Sequence, residues 1–275
     1  VVDRVVGRLG FSRVGHAGTL DPFAQGLLLV LWDRATPLVP YLQDYPKTYV
    51  ASIRFGRVTD SQDRTGRVLE ETDASHLDPA LIEKAMRRSE GWIEQVPPTL
   101  SAVKWEGQPA HRRTRRGERL DLAPRRRYVH RFELLEWTPP LARTHIVCAS
   151  GTYVRTLAHD LGDALGTGAS LDSLERKGIG PFRLEDAIGM HALDAMSRAE
   201  LLARALEPAD ALPDWPSIVL EEIEVDALVR GLVGPLCDRR LDDRCFRALD
   251  QEGHLIALVQ GGRSPHIVRG FRGEP

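Results

Sequence analysis

Apolar and polar residues alternate along this chain with two periods, one typical of helices and one typical of strands. The helical period predicts helices at residues ~1–9, 35–43, 79–88, 152–165 and 225–232. The period of two residues predicts strands at 27–31, 47–55, 91–96, 127–137, 144–149, 218–220, 254–260 and 266–271. We also expect 66–70 to pair with the strand at 47–55. Strands mixed with irregularly spaced helices predict an α+β fold and not a regular βα alternation.

A proline-rich stretch divides the chain near its C-terminal end. Residues 207–216 contain Pro208, Pro213 and Pro216, and we predict a linker there. The residues that follow, 217–275, are rich in predicted strands and are typical of a small appended binding module. The main domain then covers 1–206. Because the chain starts inside a predicted helix, we expect a further segment to precede it.

Composition narrows the class of protein. The apolar content of 42% is ordinary for a soluble globular protein. No apolar stretch approaches the ~20 residues of a transmembrane helix, and we recognise no signal peptide. The three cysteines lack CxxC spacing, which favours reduced thiols over disulfides or a zinc site. We therefore expect a cytoplasmic protein without a metal site and without membrane association.

A glycine-rich turn surrounds one histidine and one carboxylate, in the run GHAGTLDPFAQG that begins at Gly15. Glycine allows positive φ and close approach of a ligand, and Pro22 fixes the backbone just after Asp21. Asp21 is therefore a candidate catalytic acid on a preset turn. An Asx-type turn residue before proline fits the local composition equally well. A phosphate-binding loop is a third interpretation, but the Lys-Ser/Thr ending of a P-loop is absent.

A second motif, at 151–156, lies where a predicted strand meets a predicted helix. Thr152 can cap that helix, and Arg155 falls in its first turn. Since a cation there opposes the helix dipole, we expect a carboxylate or phosphate partner, with a plain surface arginine as the alternative. Tyr49, two residues after Lys47, lies in an alternating strand, where an aromatic residue usually belongs to the core.

The basic side chains are nearly all arginines, and many of them are clustered between His111 and Arg131. The cluster comprises Arg112, Arg113, Arg115, Arg116, Arg119, Arg125, Arg126, Arg127 and Arg131. A run of charge is often only a solvated face. Here Glu118 and Asp121 are the only acids that interrupt it, which favours a surface for a polyanion.

Taken together, these motifs resemble the TruB family, the pseudouridine synthases that modify uridine 55 in the T-loop of tRNA. The family patterns and their matches, in chain order, are GHxGxLDPxAxG from Gly15 to Gly26, K-x-Y at Lys47 and Tyr49, Y/L-S-A-x-K at Leu100 to Lys104, G-T-Y-[IV]-R-T-L at Gly151 to Leu157, and L-x-R at Leu174 and Arg176. The order is that of the family over nearly the whole chain. One departure is that the family's upstream Lys-Pro-x-Gly-x-Thr-Ser segment has no match.

The resemblance implies a fold, a site and a partner. The fold is a pseudouridine-synthase-type mixed or antiparallel sheet flanked by helices, with an arginine-rich insertion at about 105–130 and a PUA-like RNA-binding domain at 217–275. The implied catalytic residues are Asp21, Tyr49 and Arg155. The implied substrate-binding residues are His16, Gly18, Thr19, Lys47, Lys104, Arg112, Arg113, Arg115, Arg116, Tyr153 and Leu174. The partner is the T-arm of tRNA, bound by a monomer that uses no cofactor and no metal.

The resemblance also implies roles. Asp21 acts as an anion at the sugar–base junction, by attack on the sugar, attack on the base or removal of a ribose proton, and Arg155 keeps it ionised. Tyr49 stacks on the uracil and helps to remove the proton at carbon 5. His16 fills the stack that the extruded uridine leaves. The alternatives are a non-catalytic RNA-binding or tRNA-folding protein on the same scaffold, and a relative that works inside a guide-RNA particle.

Overall fold

The computed structural model describes residues 1–98, 104–105, 108–109, 122–237, 239 and 241–271. Its helices are α1 Val2–Leu9, α2 Val39–Asp44, α3 Pro79–Arg88, α4 Val154–Ala164, α5 Met190–Ala195, α6 Arg198–Ala203 and α7 Glu222–Val229. Short 3₁₀ segments cover Asp33–Leu38, Leu184–Asp186, Pro208–Asp210 and Gly234–Leu236.

The strands, in chain order from β1 to β17, are Val14–His16, Gln25–Gly26, Val30–Trp32, Lys47–Phe55, Arg57–Thr59, Val68–Glu71, Gly91–Gln95, Lys104–Trp105, Gln108–Pro109, Arg125–Thr138, Leu141–Cys148, Ala169–Ile179, Phe182–Arg183, Ser217–Val219, Cys245–Leu249, Leu255–Gln260 and His266–Gly270. Helices and mixed sheets occur together, which confirms the α+β fold class. The chain divides into two compact units, one formed by Leu20–Leu27 and Asp44–Ala187, the other by Val1–Thr19, Leu28–Gln43 and Ile188–Pro275.

The unit that contains Asp21 is built on one large sheet. Its strand order is β13-β12-β4-β11-β10-β7, with antiparallel neighbours, and β2 runs parallel beside β12. Along β4, buried and half-buried residues alternate over nine positions, so one face of the sheet carries the core. Side chains of α3, such as Ile82, and of α4, such as Leu157, pack with Ile53 in that core.

Local sequence explains where α3 begins. Asp78 accepts a hydrogen bond from the backbone N–H of Leu81 at 2.8 Å, and Pro79 is the first helical residue. The capping side chain satisfies an amide that the helix cannot, and proline has no N–H to satisfy. The predicted helix start is confirmed, as is the strand predicted at 47–55.

Two expectations about strands are wrong. Residues 68–71 pair with β5 and not with β4, because β11 and β12 occupy both edges of β4. The strand expected at 27–31 is confined to Val30–Trp32, which pairs with β1. No strand was predicted at β12, an eleven-residue strand whose pairing with β4 shifts register twice. Such bulges interrupt the alternation on which strand prediction depends.

The described residues of the other unit include two apolar clusters. Val5 and Leu9 of α1 pack with Leu193 and Leu201 from α5 and α6, which confirms the predicted amphipathic helix. The C-terminal strands form a sheet of order β14-β15-β16-β17, and α7 contributes Leu228 to its core. None of the helices in the described part of the chain has the length and apolar character needed to cross a membrane.

Candidate active site

Asp21 and Arg155 form a bidentate ion pair. Asp21 opens a turn in which its carbonyl oxygen accepts from the N–H of Ala24 at 2.9 Å. Arg155, in the first turn of α4, donates from Nε to Oδ2 at 2.9 Å and from Nη2 to Oδ1 at 2.8 Å. The arginine side chain is only 4% exposed, whereas that of Asp21 is 30% exposed. A buried guanidinium thus holds a carboxylate that remains accessible to a ligand.

A second carboxylate, Asp63, lies against the same guanidinium. Its Oδ2 is 3.8 Å from Nε of Arg155, and Nη1 of Arg155 donates to the carbonyl of Ser61 at 3.1 Å. Asp63 is itself buried, and its Oδ1 accepts from Oγ of Ser61 at 2.8 Å and from the N–H of Thr65 at 2.9 Å. The loop between β5 and β6 therefore supplies two further contacts to the guanidinium of Arg155.

Asp63 is not among the site residues predicted from the sequence. Its local signal is an aspartate two residues before a threonine, which is typical of an Asx turn, and the turn is present. Nothing in the local pattern connects that turn to Arg155. Only the fold brings this turn and Arg155 together. The N–H of Leu171 in β12 donates to the carbonyl of Gln62 at 3.0 Å, and the hydroxyl of Thr156 in α4 donates to the side chain of Gln62 at 2.9 Å.

The backbone of this loop is itself constrained. Gln62 has a φ of 61°, in the left-handed region that residues other than glycine seldom adopt. Such a conformation persists only where surrounding contacts fix it, and here α4 and β12 supply those contacts. The loop is therefore a rigid support for Arg155.

Tyr49 lies on the core face of β4 and is 9% exposed. Arg176 of β12 is its cross-strand partner, and a side-chain hydrogen bond joins the guanidinium to the Tyr49 hydroxyl. Burial is the main cause that raises the pKa of Tyr49 to about 12, and the negative charge of Asp21 adds to it. The phenol is therefore protonated at neutral pH.

Arg176 also fixes the end of the glycine-rich turn. Its Nε donates to the carbonyl of Leu27 at 2.7 Å, and Arg176 is only 1% exposed. Gly26 has a φ of 109°, and a Cβ there would lie 2.3 Å from the carbonyl oxygen of Arg176. Glycine is required at this position, because the parallel pairing of β2 with β12 leaves no room for a side chain.

Lys47 and Cys148 lie opposite each other on β4 and β11, and both are buried. Nζ of Lys47 donates to the carbonyl of Tyr45 at 2.6 Å. Burial, and after it the charge of Arg176, lower the pKa of Lys47 to about 8. Burial also raises the pKa of the Cys148 thiol to about 12. The thiol is therefore protonated at neutral pH.

The start of α4 is fixed by a side chain from a distant strand. The expectation that Thr152 caps this helix is wrong, because the N-cap residue is Tyr153 and no side-chain capping bond is present there. Gln95 of β7 instead accepts from the N–H of Tyr153 at 3.0 Å and donates to its carbonyl at 3.0 Å. On β10, Nε of Arg127 donates to the carbonyl of Gly151 at 2.9 Å. These bonds position the turn that carries Arg155.

The remaining predicted site residues that the structure describes are divided between the two units. Leu174, 6% exposed, and Tyr153, half-buried, lie in the same unit as Asp21. Gly18, Thr19 and His16 belong to the other unit, where the His16 carbonyl accepts from the side chain of Gln43 at 3.5 Å. Nδ1 of His16 is buried and has no hydrogen-bond partner among the described residues.

The other predicted basic residues lie partly or wholly outside the described part of the structure. Lys104 begins the short strand β8, which pairs with β9, but its side chain lies outside the described part of the structure. The arginines at 112, 113, 115 and 116 lie in the range 110–121, which is also outside the described residues.

Comparison with known proteins assigns residues 7–212 to one family. The N-terminal domain of the TruB family of pseudouridylate synthases matches residues 7–154, and the C-terminal domain of tRNA pseudouridylate synthase B matches residues 155–212. The chain is 43% identical to tRNA pseudouridine synthase B of Symbiobacterium thermophilum, over 82% of this chain and 74% of that protein. It is 38% identical to the protein of the same name from Mycobacterium bovis, over 96% of this chain and 90% of that one.

Solved structures share the fold. A Cbf5-Nop10-Gar1 complex contains a chain that superposes with a TM-score of 0.73 at 24% identity, over 98% of this chain and 80% of that one. A chain in the structure of an H/ACA RNP bound to a substrate RNA containing 2'-deoxyuridine superposes with a TM-score of 0.69 at 22% identity, over 98% of this chain and 80% of that one. With the family match over more than half of its length, the chain belongs to the TruB family and is a pseudouridine synthase.

Proposed function

We propose that this protein converts uridine 55 in the T-loop of tRNA to pseudouridine, with Asp21 as the essential group and without a cofactor. The observation that carries the proposal is the partly exposed carboxylate of Asp21, which the buried guanidinium of Arg155 holds through two hydrogen bonds. The relatives named tRNA pseudouridine synthase B support tRNA as the substrate.

The chemistry needs one anion at the junction of sugar and base. The bond from N1 to the ribose breaks, the bond from carbon 5 to the same ribose carbon forms, and the proton on carbon 5 is lost while N1 gains one. The reaction is an isomerisation, so it requires no oxidant, reductant or energy source. Asp21 serves as the anion, whether it attacks the sugar, attacks the base or takes a ribose proton.

Arg155 fixes the position of Asp21. Two parallel N–H···O bonds hold the plane of the carboxylate. Asp63 and the Ser61 carbonyl hold the guanidinium in turn, so the fork cannot swing away when RNA replaces solvent. We propose that Asp63 is a positioning residue that acts through Arg155.

Tyr49 contacts the uracil. Because its hydroxyl is protonated at neutral pH, it accepts the proton of carbon 5 only if its own proton leaves at the same time. We therefore propose stacking against the base as its principal role. The Arg176 hydrogen bond fixes the phenol ring in place.

The uridine has to leave the folded loop to reach this site. Extruding a base costs a few kcal/mol, and we propose that His16 fills the vacated stack with its flat ring. The domain limits at 206 and 217 are part of the same proposal, with 217–275 as a PUA-like RNA-binding module. We place the enzyme in the cytoplasm, since its substrate is tRNA. We also propose that it acts as a monomer.

The test is turnover by the purified protein alone. A T-arm stem-loop with tritium on carbon 5 of the target uridine should release tritium without any added RNA, and a stem-loop with cytidine at that position should not. Activity only after addition of a guide RNA would favour the guide-dependent alternative. Tight binding without tritium release would favour a non-catalytic RNA-binding protein.

A further inference from the structure

An exposed tryptophan lies on the edge of the large sheet, on the face turned away from the core. Trp92 of β7 is 63% exposed, although its neighbour Ile93 packs against the core. A single exposed apolar side chain is ordinary, but Trp92 is part of a group of aromatic side chains. No part of the catalytic site described above involves it.

Aromatic and cationic side chains extend this surface. Tyr128 of β10 lies opposite Trp92 in register, and their rings meet edge to face with centroids 5.2 Å apart. His130 meets Tyr128 in the same way at 4.8 Å. The guanidinium of Arg126 lies over the Trp92 ring, 4.6 Å from its centroid. We call Trp92, Arg126, Tyr128 and His130 the Trp92 platform.

The charges around the platform favour an anionic partner. Arg125 and Arg126 are both exposed, and Glu94 is the acid that faces Arg126 across the strand pair. Further along β10, Arg131 is already paired with Glu133 at 2.6 Å, whereas Arg126 has no acidic partner among the described residues. A guanidinium stacked on an indole keeps its N–H donors at its edge, where they can bind phosphate.

The same two strands reach the catalytic centre with their other face. Arg127, next to Arg126, donates to the carbonyl of Gly151, and Gln95 on β7 holds the backbone of Tyr153. Side chains on a strand alternate between faces, so neighbouring positions serve the platform and the start of α4. The platform and the contacts that hold the start of α4 therefore share β7 and β10 but lie on opposite faces of the sheet.

We propose that the Trp92 platform binds RNA, with an unpaired base stacked on its aromatic rings and the adjacent phosphate on Arg126. Flat aromatic surfaces interleaved with arginine suit single-stranded RNA, since every base offers a π-face and every nucleotide a charge. The proposal rests on the proposed function in one respect, namely that RNA is the substrate.

The test compares Trp92→Ala with Leu135→Ala, which removes another exposed apolar side chain from β10 (48% exposed). Trp92→Ala should bind an unmodified tRNA transcript at least about 5-fold more weakly, while Trp92→Phe and Leu135→Ala bind like the wild type. The turnover rate at saturating tRNA should stay unchanged, because Trp92 touches no reacting group.

Two further measurements separate stacking from a general loss of affinity. Binding of the transcript should quench tryptophan fluorescence in the wild type more than in Trp92→Phe. Arg126→Gln should flatten the dependence of log affinity on log salt by up to about one unit, whereas Arg67→Gln, a change at an 80% exposed side chain, should not.

Equal tRNA affinities for Trp92→Ala and Leu135→Ala would overturn the platform and leave the proposed activity untouched. Absence of tritium release together with a Trp92-dependent loss of binding would overturn the activity and leave the platform standing. The two proposals therefore fail separately.

Discussion

Arg155 donates two hydrogen bonds to Asp21 and one to the Ser61 carbonyl, and a second carboxylate lies beside it. A buried guanidinium requires such partners, because an unpaired buried charge is costly. The two carboxylates beside Arg155 also differ in exposure. Asp63 is enclosed by hydrogen bonds, whereas Asp21 keeps a side that faces outwards.

Asp21→Asn should abolish tritium release while the fold and RNA binding are largely retained. Asparagine has the same shape but no charge, and Arg155 still contacts Asp63. A steady-state tritium-release assay measures the effect. Glu83→Gln, at a 46% exposed carboxylate on α3, is the control and should turn over like the wild type. Turnover of Asp21→Asn near the wild-type rate would contradict the assignment.

Arg155→Ala should lose both activity and stability. Removal of one partner from a buried pair costs about 3–5 kcal/mol, here because Asp63 is left buried without its cation. Arg155→Lys should recover only part of this, since an ammonium cannot make the two parallel bonds. Urea unfolding and the tritium assay are the measurements.

The matched control for Arg155 is Arg57→Ala, which breaks a two-donor contact to Glu71 at the surface. Those side chains are 38% and 62% exposed, so the loss should stay below about 1 kcal/mol. Equal losses in the free energy of unfolding for the two substitutions would show that burial does not increase the contribution of the Arg155 ion pair to stability.

Stability should rise with pH between about pH 7 and pH 9 because of Lys47. Its pKa is about 8 in the folded protein against 10.5 in the unfolded chain, so over this range the unfolded state binds more protons. The gain is on the order of 1 kcal/mol. Above pH 9 the raised pKa values of Cys148 and then Tyr49 act in the opposite direction.

The measurement is urea unfolding at several pH values on the wild type and on Lys47→Met. The rise should disappear in the variant, which has no ammonium to bury. A rise of the same size in both proteins would assign it to another group.

At the scale of elements, the bounds of some regular segments follow from local sequence. Asp78 and Pro79 set the start of α3, and alternation sets β4, because capping and side-chain direction depend only on near neighbours. Pairing does not follow in the same way. The segment at 68–71 pairs with β5 because β11 and β12 already occupy the two edges of β4. The bulges of β12 interrupt its alternation, so that strand could not be predicted from the pattern.

Gln95→Leu should loosen the start of α4 and lower the turnover rate. It removes both hydrogen bonds to Tyr153, at a cost of about 1–3 kcal/mol, and leaves Arg155 less firmly placed. Hydrogen exchange of the amides in the first turn of α4 should become faster. Gln95→Glu keeps the acceptor and loses the donor, so its effect should be intermediate. Unchanged exchange rates in Gln95→Leu would assign the helix start to other contacts.

At the scale of the whole molecule, the arginine cluster should supply affinity and not chemistry. Neutralising the arginines at 112, 113, 115 and 116 should flatten the plot of log affinity against log salt by about 2–4 units, since each lost phosphate contact removes about 0.7–0.9. Single-turnover rates at saturating RNA should stay near the wild-type value, because phosphate contacts position the substrate without touching Asp21.

Filter binding over a salt series measures that slope. Neutralising Arg67 and Arg87, which are exposed and paired with acids elsewhere on the surface, is the control and should leave the slope unchanged. An unchanged slope in the fourfold variant would mean that the cluster is a solvated face.

The sequence by itself determined elements such as α3 and β4, the family, and the identity of Asp21, Tyr49 and Arg155 as candidates. These depend on spacing within short segments, where turn chemistry and periodicity act over a few residues. The tertiary structure alone decided that Asp63 supports Arg155, that Arg176 contacts Tyr49, and that Lys47 is buried with a lowered pKa. It also decided that Trp92 is exposed beside Arg126. Each of these depends on strand register and burial, which arise from contacts between segments far apart in the chain.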